Sequence, residues 1–518
     1  MTLFGWFIAF LAVQLVHFLG TWKLYEKAGR KSWEAGIPIY NAIILLKIIQ
    51  RPWWWVLLLF IPVINNLMFV VLWLQTLRAF GRNNSKESWL TVVTLGFYLY
   101  YLNYVAEVTY QPENPEDAKQ QKDSFYGSIV FAVIIATIIH TYVLQPFTIP
   151  TSSLEKSLLI GDFLFVSKVN YGPRTPTTPF AVPMVHDSIP IIRTKSYLSY
   201  PQLPSFRLPG FEKIKHNDIV VFNWPQDTVY QFFDKSGRRA DKPLDKKSNY
   251  VKRCVGLPGD SIKIVNGVFY SNGKPLAMHD RQKIQYRYIV QTKTYFNPDY
   301  LLEDLDINMV DISVQNNEGT LYIFHALTNE MVERLKNNEN VVKIERYTYE
   351  PSKDLFPHNK LQTVDDMEPI WIPKKGTTVA LNKENLPLYQ AIIKDYEKHD
   401  LEVNGDVIKI DGQVANQYTF AMDYYWMMGD NRHNSEDSRF WGFVPEDHII
   451  GKPVFIWFSI KNMMNGFKNW SIRTDRLFTT VHGSGEPVSY FKYFLGLLAI
   501  YFGWDFYRKR KKKAAENS

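Results

Sequence analysis

The sequence predicts a mainly β domain held between α-helical membrane segments at both ends of the chain. Three observations lead there. Apolar residues concentrate in the first 145 positions and again at Phe491–Phe506. Between them lie short runs rich in Val, Ile, Phe and Tyr, separated by turn dipeptides, as strands and hairpins require. A basic run, Arg508–Lys513, directly follows the last apolar segment, which is the pattern of a cytoplasmic membrane anchor rather than of a nucleic-acid-binding arm. The net charge of +8 is therefore assigned to membrane flanks, and no nucleic-acid partner is expected. With 518 residues the chain is too long for a single core, and length alone suggests about three domains. Cys254 stands alone, so no internal disulfide can form; it reads as a small apolar filler.

The elements follow in order. Leu3–Leu19 is apolar with no positive charge before it, while Lys23, Lys27, Arg30 and Lys31 come after. A cleavable signal has the opposite order, so this segment reads as a span with its N-terminus outside and residues 23–31 in the cytoplasm. Trp53–Leu77 is long enough to span, but Pro62, Asn65 and Asn66 break it into a kinked span or a hairpin. The tryptophans at 53–55 read as an interfacial anchor. Trp89–Val105 either spans or lies at the interface, and Gly127–Val143 reads as an anchor preceded by Lys119 and Lys122. The basic groups at 23–31, 78–86 and 119–122 all prefer one side, which demands an even number of crossings between each successive pair. A hairpin at the broken stretch satisfies the first interval, and Trp89–Val105 is then re-entrant or interfacial. No clustered charge marks a transport path through these segments. The expected division is 1–120 as a multi-span membrane region, 121–145 as a transmembrane anchor, 146–488 as an extracytoplasmic domain with an insertion at about 265–420, and 489–518 as a C-terminal transmembrane helix with a basic tail.

In the outer domain Asp162–Val169, Asp218–Asn223, Ser261–Ile264 and Val407–Ile410 read as strands. Asn266-Gly267, Asn272-Gly273 and Asp411-Gly412 are hairpin signals. Thr328–Lys336 and Leu388–Lys398 are helical candidates, and Tyr171–Leu208, rich in Pro and Ser, reads as an extended loop.

The densest concentration of polar groups is Gly429–Arg439, set between the apolar runs Tyr424–Met428 and Phe440–Val444. Such flanks imply burial, and buried polar groups must find partners, so a closed hydrogen-bond network is expected. The sequence has no His-Glu-x-x-His, Cys-x-x-Cys, phosphate-loop or Gly-x-Ser-x-Gly pattern, so a zinc enzyme, an ATPase and an α/β-hydrolase are not expected, nor is any cofactor or metal. A serine nucleophile needs a base, and a lysine can serve if its amine is neutral. Free lysine has a pKa of about 10.4, and burial lowers it; a fall of about two to three pH units corresponds to roughly 3–4 kcal/mol. Lys252 sits within Tyr-Val-Lys-Arg-Cys-Val-Gly, and if that run is a strand, Lys252 shares a face with Tyr250 and Cys254 while Val251 and Arg253 face the other way.

Four segments, Ile149-Pro-Thr-Ser-Ser-Leu through Leu158-Leu-Ile-Gly-Asp162, Asp218–Phe222, Tyr250–Asp260 and Gly429–Pro445, resemble bacterial type I signal peptidases, in the family's order. The first 120 residues lie outside the shared core and look like an extra membrane region found on some Bacteroidetes members. The resemblance implies a signal-peptidase-type β fold with a large α+β insertion and a Ser/Lys dyad, a variant of triad chemistry. Carried over residue by residue, it implies Ser153 as nucleophile, with Ser152 the competing position, and Lys252 as general base. Ser435 matches the serine that orients the lysine amine, and Thr151 the hydroxyl that assists the oxyanion hole. Arg253, Asp430, Asp437 and Arg439 match supporting ion pairs. Phe147, Ile149, Leu154, Leu158 and Val251 match the lining of the substrate pockets.

The implied partners are the signal peptides of preproteins, the lipid bilayer and the export machinery, at the cytoplasmic membrane with the catalytic domain outside. Ser153-Leu-Glu-Lys-Ser-Leu158 lacks the family's usual Met and Pro, and His433 replaces a frequent Asp; His433 itself reads as part of a polar network. A dedicated maturation protease of one secretion system and a non-catalytic scaffold of the same fold are the alternative functions.

Overall fold

A computed structural model describes residues 2–82, 84–112, 125–190, 192, 194–228, 239–305, 307 and 311–516. Lys119 and Lys122 lie outside the described residues. The chain divides into two compact units: Met1–Val143 with Arg174–Leu208 and Arg239–Lys247, and Leu144–Pro173 with Pro209–Arg238 and Ser248–Ser518.

The first unit is helical: α1 (Leu3–Lys27), α2 (Tyr40–Ile48), α3 (Ile64–Ala79), α4 (Ser85–Val93), α5 (Tyr98–Tyr104) and α6 (Phe125–Ile138). Thr2 caps α1 by accepting a bond from the Gly5 N–H at 3.1 Å. The Trp53–Leu77 stretch breaks at Pro62, and Val63 takes a left-handed φ of 71°. The stretch is thus a short turn, Trp55–Leu58, followed by α3. Trp89–Val105 breaks at Leu95 and Gly96, with φ of 50° and 84°, into α4 and α5. Gly96 also has no room for a side chain, since a Cβ there meets the Trp73 ring at 2.5 Å. Leu24, Ile44, Leu46, Leu77 and Leu102 form the centre of this unit's apolar core.

Among the described residues, α1 alone is long and apolar enough to cross a membrane; Ile129–Val143 is apolar but shorter. At the far end of the chain, α7 (Phe491–Glu516) forms, but its apolar part stops at Arg508 and it does not reach that standard. The expectation of spans at both ends therefore narrows to one helix near the N-terminus.

The second unit is mainly β. Its principal sheet contains β1 (Leu144–Thr148), β2 (Asp162–Ser167), β3 (Ile219–Asn223), β4 (Asn249–Gly256), β5 (Tyr424–Met428), β6 (Val444–Pro445) and β7 (Ile449–Lys461) in the order β1-β2-β7-β3-β4-β5-β6. β7 is the longest strand, and its position between β2 and β3 brings the start and end of the domain into one sheet. All three predicted hairpin turns form, with both residues of each at positive φ: 49° and 75° at Asn266-Gly267, 52° and 79° at Asn272-Gly273, and 51° and 77° at Asp411-Gly412. Thr328–Lys336 becomes helix Asn329–Lys336 capped by the Thr328 hydroxyl, and the second helical candidate forms as Leu386–Ala391 with a wider turn at Ile392–Tyr396.

The sequence reading gave no strands to the segment just before that first helix. The structure places three strands there, Gln285–Thr292, Ile312–Val314 and Leu321–Thr328, and Val341–Arg346 from beyond the helix completes a four-stranded sheet in the order Val341–Arg346, Gln285–Thr292, Leu321–Thr328 and Ile312–Val314. The apolar and polar residues of these strands do not alternate cleanly, as in Leu321–Phe324 (Leu-Tyr-Ile-Phe) and Val341–Val342, so no period of two announced them.

Candidate active site

β4 pairs with β3 through Val220 opposite Lys252 and with β5 through Met427 opposite Cys254. The period of two holds. Tyr250 and Cys254 pack with Val220, Phe222 and Met427 in one apolar cluster, while Val251 packs with Ile149, Leu154 and Leu158 in another. Lys252 is only 3% exposed, and its Nζ lies 5.7 Å from the centroid of the Tyr250 ring. Burial is the main influence on its amine and pulls the pKa down to about 8, against the opposing pull of Asp437, Glu436 and Asp430.

Ser153 sits in the turn linking β1 to β2. That turn is pinned at its neck by Ile149 N–H to Asp162 O at 2.9 Å and Gly161 N–H to Ile149 O at 2.9 Å. Leu154 and Leu158 drop from the turn into the core, and Phe147 and Val251 lie half-buried at the edge of the same cluster. Ser153 is buried, Ser152 partly so, and Thr151 exposed. Ser152 is occupied: its hydroxyl accepts from Asn434 Nδ2 at 3.0 Å and its carbonyl from Asn431 Nδ2 at 3.3 Å. The Ser153 carbonyl accepts the Asn431 N–H at 3.1 Å.

Gly429–Arg439 forms a buried polar network, as its composition implied, but not a fully closed one: Asn431 Oδ1 and Arg432 Nε are buried without a hydrogen-bond partner among the described residues. Asp437 accepts the Gly429 N–H at 3.0 Å and the Ser435 hydroxyl at 2.8 Å, and it pairs with Arg439 at 2.8 Å, with both side chains fully buried. Arg253 pairs with Asp430 at 2.6 Å. Burial pushes both carboxyls up, but Arg253 and Ser157 at Asp430, and Arg439 and Lys252 at Asp437, outweigh it and hold both below the ordinary carboxylate range. Gly429 is where the turn and the loop meet, since a Cβ there would lie 2.3 Å from Ser435 Oγ and 2.6 Å from the Ser153 carbonyl oxygen. One loop thus touches the Ser153 turn, carries Ser435, and acts electrostatically on Lys252. His433 belongs to a polar network: Nε2 lies 2.9 Å from Asp365, and Nδ1 accepts the Arg287 N–H at 3.0 Å.

Several participants escaped the sequence reading. The Ser157 hydroxyl donates to Asp430 at 2.6 Å, and Gln282 Nε2 donates to the same carboxylate at 3.3 Å. Asn431 and Asn434 grip Ser152. Arg476 pairs with buried Asp162 at 2.6 Å and holds the start of β2. Glu155, two residues beyond Ser153, is pushed up to about 7, chiefly by burial. Asn431 and Asn434 were visible inside the polar run, but Gln282 and Arg476 come from distant segments with no local signal.

Residues 123–349 and 370–458 match the family described as signal peptidase, peptidase S26. The chain belongs to that family. Residues 33–113 match a family of unknown function. The chain is 23% identical over 376 residues to a signal peptidase I of Haemophilus influenzae, covering 70% of this chain and 76% of that one. It is 27% identical over 336 residues to a signal peptidase I of Buchnera aphidicola subsp. Baizongia pistaciae, covering 64% and 75%. Against a signal peptidase I of Helicobacter pylori the figures are 24% over 372 residues, covering 70% and 93%.

Proposed function

We propose that the protein removes N-terminal signal peptides from exported preproteins, with Ser153 as nucleophile and Lys252 as general base. It is a serine endopeptidase of the signal peptidase I type. The observation that supports the residue assignment is a buried lysine, its pKa drawn down to about 8 chiefly by burial, under the electrostatic influence of Asp437 and Asp430 in the loop whose Gly429 lies against the Ser153 turn.

The neutral amine of Lys252 takes the proton of the Ser153 hydroxyl as Oγ attacks the scissile carbonyl. Ser435, fixed by its bond to Asp437, orients the amine. The Ser153 N–H, assisted by the Thr151 hydroxyl, stabilises the developing oxyanion, a donor role typically worth about 10²–10³ in rate. Lys252 then protonates the leaving amine and draws a proton from the water that hydrolyses the acyl-enzyme. Phe147, Ile149, Leu154, Leu158 and Val251 shape pockets for the small residues that precede the cleavage site. Asp430 with Arg253 and Asp437 with Arg439 keep the loop in place.

Membrane attachment through α1 fits substrates that emerge from a bilayer. We further read α6 and α7 as membrane segments, with the β domain on the extracytoplasmic side and the basic tail inside. The aromatic cluster of Phe163, Phe165, Trp457 and Phe458 seats the domain at the lipid surface.

The test is cleavage of a model preprotein in membranes by wild type, Ser153→Ala and Lys252→Met. Both variants should fold normally and lose at least about 10³-fold in turnover. Near-normal turnover by either one overturns the assignment.

A further inference from the structure

We infer that residues 2–112 form a membrane-embedded unit that crosses the bilayer three times and dips part of the way into it twice, both times from the cytoplasmic side. The inference rests on reading α1 as a membrane span.

α1 serves as a depth ruler at about 1.5 Å per residue. Near its start, Trp6 Nε1 donates to the Gln202 carbonyl at 3.1 Å, and Phe10 packs against Phe60 at 6.5 Å. At its other end, Lys27 Nζ donates to the Ala106 carbonyl at 3.4 Å. Residues 48, 79 and 110–111 gather at that second end too, since the Tyr110 hydroxyl donates to Ile48 O at 2.8 Å and the Gln111 N–H to Ala79 O at 2.8 Å. Arg51 reaches Gln75 at 3.0 Å. The second end therefore collects the basic residues of 23–31, Lys47, Arg51, Arg78, Arg82 and Lys86, and the positive-inside rule makes it cytoplasmic. The first end holds Pro62, which accepts from the Tyr142 hydroxyl at 3.4 Å, and Asn66, which donates to the Pro179 carbonyl at 2.8 Å.

The path between these levels can be traced. From Lys31 the chain rises along α1, with Gly36 against Phe18 and Asn41 Nδ2 bonded to Gln14 at 2.8 Å, and α2 brings it back to Ile48. Residues 52–61 then climb to the outer end through i to i+3 bonds, such as Trp55 N–H to Pro52 O at 3.1 Å and Phe60 N–H to Leu57 O at 3.2 Å. The climb ends where Phe60 meets Phe10, about 25 Å from Lys27 along the ruler and close to the hydrocarbon thickness of about 30 Å. α3 returns over about 24 Å. α4 rises again to a tip at Leu95–Gly96 beside Trp73, and α5 descends from Tyr100, whose hydroxyl donates to Val16 O at 2.7 Å, to Ala106 at the level of Lys27. Val16 lies about 16 Å from Lys27 along the ruler, roughly half the hydrocarbon thickness.

Broken backbone at that depth needs partners within the protein. The dips supply them: the buried Asn41 and Asn103 carry the polar contacts. The Asn103 side chain bonds to the backbone of Leu19, Lys23 and Leu24, and the Tyr25 hydroxyl donates to Asn41 O at 2.7 Å. The outward faces of the second dip, Trp89, Val93 and Leu95, are each more than 70% exposed and suit contact with lipid acyl chains.

Impermeant-maleimide labelling tests this on the full-length protein in cells, with the native chain and its buried Cys254 as the blank. Single cysteines replace Phe60, Lys86 and Glu107. Phe60→Cys should label in intact cells. Lys86→Cys and Glu107→Cys should label at least tenfold less there than after permeabilisation. Labelling of Glu107→Cys in intact cells while Lys86→Cys stays protected makes residues 89–105 a full crossing and overturns the inference. Equal labelling of all three without permeabilisation, with release of the protein by alkaline wash, removes α1 as a span and the inference with it. Preprotein cleavage by each variant confirms folding, and the sidedness read here is independent of whether Ser153 and Lys252 are the dyad.

Discussion

Arg253 grips Asp430 with two parallel hydrogen bonds, Nε to Oδ1 at 2.8 Å and Nη2 to Oδ2 at 2.6 Å, and both side chains are buried. The pair fastens β4, one residue beyond Lys252, to the first residues of the loop that meets the Ser153 turn. Removing one partner leaves an unpaired buried charge, so Arg253→Ala or Asp430→Ala should cost about 3–5 kcal/mol. Because the folded Asp430 carboxyl lies below its unfolded value, its contribution is present above the unfolded pKa and disappears as pH falls through the folded one. Denaturant unfolding at neutral and acid pH measures both effects. A loss under about 1 kcal/mol at neutral pH refutes the structural role.

Lys252 opposes stability for the same reason that it suits the proposed role of base. Its folded pKa of about 8 lies below the unfolded value, so between the two the unfolded chain holds more protons and this group makes stability rise with pH. Below about 8 the full cost applies, and at about 1.4 kcal/mol per pH unit it is roughly 3–4 kcal/mol. Lys252→Met should therefore unfold at higher denaturant at pH 7 while losing cleavage, and the gain should shrink as pH approaches 10. In the wild type, kcat/KM should rise with pH through a limb near 8 as the amine becomes neutral. A profile flat from pH 6 to 9 argues against the lysine as base.

Gly429 occupies its position because nothing larger fits. Gly429→Ala should push Ser435 and the Ser153 carbonyl apart, costing about 1–3 kcal/mol in stability. The cleavage rate should fall much further than this stability change explains, because the displaced atoms belong to the proposed nucleophile's backbone and to the serine proposed to orient the base. Comparing turnover with thermal unfolding separates the two losses; full activity in the alanine variant contradicts the assigned geometry.

Adjacent serines offer an internal control. Ser152 is held by Asn431 and Asn434, whereas Ser153 is the buried one. Ser152→Ala should retain cleavage within about tenfold, its cost being one hydrogen bond of about 1 kcal/mol. Ser153→Ala should be inactive. The reverse pattern reassigns the nucleophile.

Much of this protein could be read along the chain. The hairpin turns at Asn266, Asn272 and Asp411 were legible because positive φ at two successive residues suits Asn-Gly and Asp-Gly, a purely local constraint. The orientation of Lys252 followed from the two-residue repeat of a strand, and the buried network at Gly429–Arg439 from charge enclosed by apolar flanks. The sequence by itself determined which residue types could do chemistry and which segments seek apolar surroundings, since side-chain ionisation and transfer from water belong to each residue. Only the tertiary structure decided that Ser157, Gln282 and Arg253 share one carboxylate, that Arg476 holds Asp162, and that Trp89–Val105 breaks at Leu95 and Gly96. Those outcomes depend on which distant groups come within a few ångströms of each other, and that is set by packing of the whole chain, not by any window of it.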